Sequence, residues 1–517
     1  MASKPSPPPP LTPEDFSGIM DAHRQWLDSG GQEVQKAEFG GANLQGLDLS
    51  GYSLSGLDFR EANLARVKFG DAQVEETSFR SADLREADLS GARGLLAPQL
   101  AGADLAGAKL PESFKEFTAL KHVEAASGHV QKIFFLLLLV CVYCWLTIAI
   151  TTDASLFNNF AEQPLPIIGT RINLVMFYWA GPFLLLCVYL YFHLCLQRLW
   201  EALAELPAVF PDGLPLPQRI HPWLWNGLVW AYFPRLRDRR PPLLGLQKLL
   251  AILLVWWAGP LTIWALWHRY RPAHDWTVTL LQVVFLTLAL GGALGFSLLT
   301  RSTLLLQEKR PSHGKRLWGT VNGLALFLTT AAIAGLFLFL SLAAIEGLSK
   351  LPFLAAFDSF HGRPWVSADL SEADVSLKPP QWRPGDIDLV RGAFLRGRNL
   401  RGAKAVKAFL VKADLTQADL QHAELGLANL QHARLTLADL QYAQLKRANL
   451  QGADLEAAIL SEADLSGADL NGTNLKHANL RGAKGLTREK LNSAIMDEYT
   501  QLPDEFKDLV SSKTKNK

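Results

Sequence analysis

The sequence predicts a mixed fold, two square-coiled repeat arrays flanking an all-α bundle that crosses a membrane. Three observations carry that expectation. An apolar residue recurs at every fifth position through two separate stretches, and five apolar segments of spanning length lie between them. The middle also holds twelve of the fifteen Trp and all four Cys. Whole-chain averages conceal this layout. With 517 residues, 49% hydrophobic, 19% charged and a mean hydropathy of +0.10, the averages describe a soluble multidomain protein. A net charge of +2 excludes an overall nucleic-acid-binding charge or an acidic mimic of DNA.

The amino end starts with a Pro-rich tail over residues 1–11, expected to be disordered, with no apolar run of the kind a secretory signal needs. Thr12-Pro13-Glu14-Asp15 then reads as a helix start: Thr12 caps, Pro13 suits the first position and the acids complement the dipole. This helix, over 12–31 with Trp26 and Leu27 on its apolar side, ends at Gly30-Gly31 and is expected to cover the open end of the first array.

From Phe39 to Leu89 the apolar series has eleven consecutive members, then resumes one residue out of phase at Leu100, Leu105 and Leu110. The segment Gly94 to Leu100 sits at the slip and resembles a capping device. The second series runs from Leu395 to Leu480 with eighteen members, through Leu400, Leu410, Leu415, Leu420, Leu430, Leu440, Leu450 and Leu465. Ala fills most positions two places earlier, with Thr473 the clear exception, and Asp or Asn often lies between. A period of five fits neither a helix nor a flat strand. It fits a chain turning a corner every five residues, with about 20 residues per circuit, Ala near the corner and Leu on the axis. Asp and Asn at this spacing serve the turns rather than catalysis.

The A-(D/N)-L-x-x unit, as in Ala413-Asp414-Leu415 and Ala478-Asn479-Leu480, resembles that of the pentapeptide-repeat family. The resemblance covers 37–110 and 391–485. It implies right-handed quadrilateral β-helix solenoids and a binding role, with no activity attached. The last circuit needs a cap, for which Thr487 to Leu491 reads as a short capped helix and the tail of 486–517 as a cover.

Between the arrays, over 130–344, five segments have spanning length: roughly 130–151, 172–196, 246–267, 277–299 and 320–343. Residues 220–233 are too short to span, and their Trp and Tyr suit the headgroup level. The remaining stretch, 345–390, reads as a linker. Loops 197–247 and 300–318 carry eleven Lys or Arg, against Arg171, Arg269 and Arg271 in the two intervening loops. The basic loops and the amino terminus are therefore expected in the cytoplasm, and an odd span count puts the second array outside. The layout also resembles bacterial multi-pass membrane proteins with these repeats, including linker-like stretches at Gln197 to Trp200 and Phe233 to Asp238. That implies the bacterial inner membrane.

Candidate chemistry is sparse. Cys141 and Cys144 form a C-x-x-C among apolar neighbours, without the cation a redox thiolate needs. His193, Cys195 and Cys187 lack further ligands at metal spacing. Trp179-Ala180-Gly181-Pro182 recurs as Trp257-Ala258-Gly259-Pro260, so Gly181, Pro182, Gly259 and Pro260 mark helix kinks. Gly291 and Gly295 form a G-x-x-x-G suited to close helix contact. No phosphate loop, G-x-S-x-G or H-E-x-x-H occurs. The second array, with 9 acids and 13 bases, is not an acidic rod, whereas the first runs the other way with 11 acids and 7 bases, and the opposite signs suggest different partners.

The expectation is a non-catalytic, membrane-anchored scaffold with no cofactor and no metal. Its array surfaces would bind proteins or envelope components. The alternative is a transporter or channel with docking arrays. The expected partners are the lipid bilayer, unidentified proteins and a second copy of the chain, and no nucleic acid.

Overall fold

The computed structural model describes residues 8–28, 37–114, 118–157, 163–164, 171–172, 174–220, 223–305, 313–346, 366–379, 381–383 and 385–509. In chain order the α-helices are α1 (Pro13–Asp28), α2 (Thr118–Ile150), α3 (Asp153–Phe157), α4 (Leu174–Ala204), α5 (Leu216–Arg219) and α6 (Asn226–Tyr232). They continue as α7 (Leu244–Ile252), α8 (Ala258–Tyr270), α9 (Trp276–Leu304), α10 (His313–Glu346) and α11 (Arg488–Ser493). A π-helical turn, Leu253–Trp257, joins α7 to α8. Five segments are long and apolar enough to cross a membrane: Leu120–Ile150, Leu174–Ala204, Leu244–Ala273, Trp276–Leu304 and Leu324–Ile345. They overlie the five segments expected from hydropathy.

The expected pair of quadrilateral β-helix solenoids requires correction. Neither array contains a β-strand: the only strands among the described residues are Gln163–Pro164 and Arg171–Ile172, and the remaining regular secondary structure is helical. The reason lies in the five-residue side. Each side stays extended for too few residues before the next corner to place two bridges in succession, although Asp414 N, Leu415 N and Gln417 N of one side all bond to neighbouring circuits. Each circuit is therefore closed by isolated single-residue parallel bridges, such as Phe394↔Asp414, Asp414↔Arg434 and Arg434↔Asp454, at a spacing of 20 residues.

One side shows the construction. Ala413 N donates to Leu410 O at 3.0 Å across the corner, and Leu415 N donates to Arg434 O at 2.7 Å in the next circuit. Lys412 at the corner has φ 55°, as does its equivalent in nearly every side, which is why Gly occupies that place in Gly402, Gly452 and Gly482. The carboxylate or amide between Ala and Leu accepts the corner N–H, as Asp464 Oδ1 does from Ser466 N at 3.0 Å. These Asp and Asn serve turns, as expected from their spacing. The inward Leu series is buried throughout: Leu400, Leu410, Leu415, Leu420, Leu430, Leu440, Leu450 and Leu465 are at most 3% exposed. Thr473 replaces an inward Ala because its hydroxyl donates to Leu450 O at 2.8 Å, and Thr77 does the same to Leu54 O at 2.8 Å.

The chain divides into two compact units. The first comprises Met1–Leu139, Cys187–Pro260 and Ala289–Leu326; the second comprises Val140–Leu186, Leu261–Leu288 and Phe327–Lys517.

In the first unit Phe39, Phe59 and Phe79 stack one above another at 5.0 and 5.7 Å, so the 20-residue circuit is written in aromatic rings. Helix α1 covers the first circuit, but through Phe16 on Phe39 at 5.1 Å and Met20, with Trp26 instead stacked on His23. Thr12 and Asp15 bond reciprocally at its start. The expected end at Gly30-Gly31 and the side chain of Leu27 lie outside the described residues. Pro8 to Leu11, assigned to a disordered tail, instead pair with Asn43: Leu11 N donates to its carbonyl at 2.8 Å. The phase slip is a 3₁₀ turn at Ala97–Leu100 that inserts one residue, changing the bridge spacing from 20 at Gln73↔Arg93 to 21 at Asp83↔Asp104. Residues 220–233 are packed into protein rather than presented outward. His221 and Pro222 lie outside the described residues, while Trp225 and Trp230 are buried.

In the second unit the array begins earlier than expected. Asp369 bridges Lys404 and Asp374 bridges Phe409, so residues from 366 belong to a partial circuit rather than to a linker. The rest of that linker, residues 347–365, lies outside the described residues. At the far end Thr487 caps α11 through Lys490 N at 3.3 Å, and Leu491, Met496 and Leu502 close the last circuit.

Candidate functional site

Both units place their polar, buried chemistry where an array meets the helices. In the first unit the segment after α4 adds a further edge to the first array. Leu105 N donates to Val209 O at 3.0 Å and Gly107 N to Pro211 O at 2.9 Å, and Asp104 bridges Val209. The last circuit is thus closed by a segment about a hundred residues away. Arg235 then fixes this arrangement. Its guanidinium donates to the carbonyls of Ser81, Glu61 (3.1 Å) and Ala62 (3.3 Å), and Arg239 pairs with Asp104 at 3.3 Å. Burial pushes the Arg235 guanidinium below the usual arginine range, opposed by the carboxylates of Asp83, Asp104 and Glu61. Asp83 is held below the carboxylate range although burial raises it, because Arg85 bonds it at 2.6 Å.

In the second unit the equivalent junction joins the ends of the helices to the first circuit of the second array. Arg269, at the end of α8, pairs with Asp153 at 2.6 Å and donates to Thr151 O at 2.7 Å. Asp153 in turn accepts Asp369 N at 2.8 Å. His274 lies with Nδ1 3.0 Å from Asn399 O and Nε2 2.6 Å from Val366 O. Asn399 Nδ2 donates to Ile345 O at 3.1 Å, and Arg398 pairs with Asp275 at 3.8 Å. Four elements thus converge on one circuit. Sequence reading singled out none of Asp153, His274 or Asn399, and took Arg235 only as one charge of a basic loop and part of a linker-like stretch. The signal available was a charged or polar residue beside a span end, which composition alone does not separate from an ordinary loop.

The residues singled out within the spans resolve differently. Cys141 and Cys144 are buried and form no disulfide with a described residue. His193 is 1% exposed, with its ring 4.9 Å from Phe296 and 4.5 Å from Tyr189. It bonds the Val255 backbone, and its Nε2 has no partner among the described residues. Cys195 is half-buried and Cys187 exposed. Among the described residues no three His, Cys, Asp or Glu are grouped to hold a metal ion. Pro182 lies inside α4, which continues through it, whereas Pro260 follows the π-helical turn. Of the G-x-x-x-G, Gly295 meets Leu326 of the same chain at 3.6 Å from an added Cβ.

Comparison with known proteins bears on the arrays alone. The family model described as pentapeptide repeats matches in eight copies, at residues 37–72, 58–93, 393–431, 413–452 and 448–484. Among solved structures, a pentapeptide repeat protein (Rfr23) from the cyanobacterium Cyanothece 51142 is 29% identical, over 26% of this chain and 84% of its own, with a TM-score of 0.19. HetL, a pentapeptide repeat protein of a Nostoc strain involved in heterocyst differentiation regulation, is 32% identical over 25% of this chain and 63% of its own, with a TM-score of 0.18. A third, from the Arabidopsis thaliana thylakoid lumen, is 29% identical over 21% of this chain and 64% of its own, with a TM-score of 0.11. No curated protein matches the chain.

Proposed function

We propose that this chain, which carries pentapeptide repeats over residues 37–93 and 393–484, is a non-catalytic scaffold embedded in a membrane. Five helices anchor it, and its two arrays present binding surfaces for proteins or envelope components. The observation that carries this reading is the pair of junctions. Arg235 on three carbonyls of the first array, and Asp153, His274 and Asn399 at the second, fix each array to span-terminal segments rather than leaving it on a tether. A fixed array keeps its orientation to the bilayer, which suits display and gives a flexible-linker function no support.

The reading includes a bacterial inner membrane with the amino terminus in the cytoplasm, from the excess of Lys and Arg in loops 197–247 and 300–318. With five spans the second array then faces outward. A reporter active only in the cytoplasm, fused after Lys517, is expected to be silent and the same reporter ahead of Met1 active. Activity at both ends overturns the topology.

Transport is the second reading, favoured by the recurrent proline motif and by the Nε2 of buried His193, which meets no partner among the described residues. Purified protein in dye-loaded liposomes separates the two. The scaffold reading expects no solute flux above empty vesicles. Flux that is lost on replacing Pro260 or His193 overturns it.

A further inference from the structure

The first circuit of the second array differs from those beyond it. Its sides are built from 366–377 and from 391 onward, and residues 378–379, 381–383 and 385–390 lie between them outside the bridged sides. Of these, Trp382 and Ile387 pack on Phe409 and Val411, which ties them to the array side. Lys378 lies over the rings of Trp382 and Phe409 at 5.4 and 4.7 Å. Large apolar side chains keep exposed surface here: Leu377 is 44% exposed, Phe394 52% and Leu389 68%. Singly exposed apolar residues need no explanation. Three on the circuit that is bonded to the span ends call for one.

Charge accompanies them. Arg383, Arg391 and Arg396 are exposed and make no ion pair among the described residues, while Asp374 and Asp388 are met by Lys378 and Lys412. An open cavity of about 550 Å³, lined by Pro379, Gln381, Arg383, Asp386 and Leu389, sits beside Leu389. The position of this circuit is the third observation. Asn399, five residues beyond Phe394, bonds to Ile345, the last residue of the fifth apolar segment, and to His274 in the loop between α8 and α9. Asp369 bonds to Asp153, three residues beyond the end of the first segment at Ile150. The exposed apolar and basic groups therefore lie on the circuit joined directly to the ends of the spans, where a bilayer passes from acyl chains to headgroups.

We propose that residues 377–379, 381–383 and 385–396 form a lipid-contact rim. Leu377, Leu389 and Phe394 enter the headgroup–acyl boundary, and Arg383, Arg391 and Arg396 hold lipid phosphates above it. Aliphatic and aromatic side chains beneath a row of arginines are the arrangement that binds an interface rather than spanning it. The large exposed residues farther along the array, Leu427, Leu437 and Tyr442, occupy corners, Tyr442 stacked on His422, and lie on circuits that, among the described residues, make no bond to the span ends. The inference rests on the reading that the five apolar helices span a bilayer.

The test separates the two. The full chain is reconstituted into bilayers rich in phosphatidylglycerol, with p-benzoylphenylalanine placed singly at 389, 394, 427 or 328, the last an exposed position of α10. Illumination is expected to give lipid adducts from 328, 389 and 394 and none from 427. Adducts from 328 without 389 and 394, or adducts of 389 and 394 with a second copy of the chain, overturn the rim. No adduct at 328 overturns the spanning reading itself. Combining Arg383→Glu, Arg391→Glu and Arg396→Glu is expected to lower the yield at 394 several-fold, and an unchanged yield removes the arginines from the contact.

Discussion

The Gln282 amide donates from Nε2 to the carbonyl of Tyr178 at 2.8 Å. Tyr178 stands four residues before Pro182, so its carbonyl is the one that proline leaves without an intrahelical donor. The second proline motif has the same solution from a different side chain: Tyr189 Oη donates to the carbonyl of Trp256, four residues before Pro260, at 3.0 Å. Two copies of one tetrapeptide thus each require a polar partner from another helix. Replacing Gln282→Leu should cost about 1–3 kcal/mol, the penalty of an unsatisfied buried carbonyl. Introducing Pro182→Ala restores a backbone N–H, so the loss should shrink in the double variant. Unfolding midpoints in detergent for the four combinations measure the coupling, and additive losses would contradict the assignment.

The two glycines of these motifs are not equivalent. A Cβ on Gly259 would lie 2.6 Å from Tyr189 Cδ2, whereas one on Gly181 meets Phe177 at an ordinary 3.6 Å. Gly259→Ala must therefore displace the tyrosine that caps Trp256, with a loss of about 1–3 kcal/mol. Gly181→Ala should be neutral or raise stability by up to about 1 kcal/mol, because alanine orders a helix at lower entropic cost. Thermal midpoints of the two variants decide this; equal effects would place the crowding elsewhere.

Inward and corner positions three residues apart should respond oppositely. Leu440 is fully buried, with no room or partner for a charge, so Leu440→Asp should remove more than about 4 kcal/mol and expose the array to protease. Leu437 is 53% exposed with φ 59°, a conformation costing an L-residue about 1–2 kcal/mol. Leu437→Gly should then hold or raise the urea midpoint. A stable Leu440→Asp protein would mean that the register is shifted.

Arg235 tests whether the first junction depends on shape or on charge alone. Arg235→Ala strips three carbonyls of a donor at a half-buried site, and about 2–4 kcal/mol should be lost locally. Arg235→Lys keeps the charge but not the planar fork, and should recover less than half. Amide exchange around residues 81–83 reads the effect without requiring global unfolding. Full rescue by lysine would reduce the junction to electrostatics.

These residues also mark where sequence reading stops. The five-residue period located every inward leucine from Leu395 to Leu480, because burial there repeats in phase with the chain. Hydropathy located the five long helices for a similar reason, each being a local property of about twenty residues. The same period misled on strand content, since a side of five residues turns before two bridges can follow one another and so builds single bridges instead of ladders. The junctions were illegible for another reason. Arg235 meets Ser81 across 154 positions and Asp369 meets Asp153 across 216, and no periodic signal links such pairs. The edge added by Val209 to Asp104 is equally remote in sequence.

The corner carboxylates give the arrays an acid limit. A hydrogen bond from Ser466 holds Asp464 below the usual carboxylate range, with a further contribution from Lys446. Bonds from Ser50, Ser90 and Ser371 do the same for Asp48, Asp88 and Asp369. A carboxylate with a depressed folded-state pKa stabilises the fold above its unfolded value of about 3.9. That contribution disappears as the pH falls through the lower folded value. Thermal midpoints should therefore be level from pH 7 to about 5 and fall progressively below about 4. Asn at these four positions keeps the Oδ1 acceptor, as Asn429 and Asn449 already do for Gln431 and Gln451. The fourfold Asp→Asn variant should thus lose little at pH 7 and show a shallower decline toward pH 3. An identical decline in both proteins would assign the acid sensitivity to other groups.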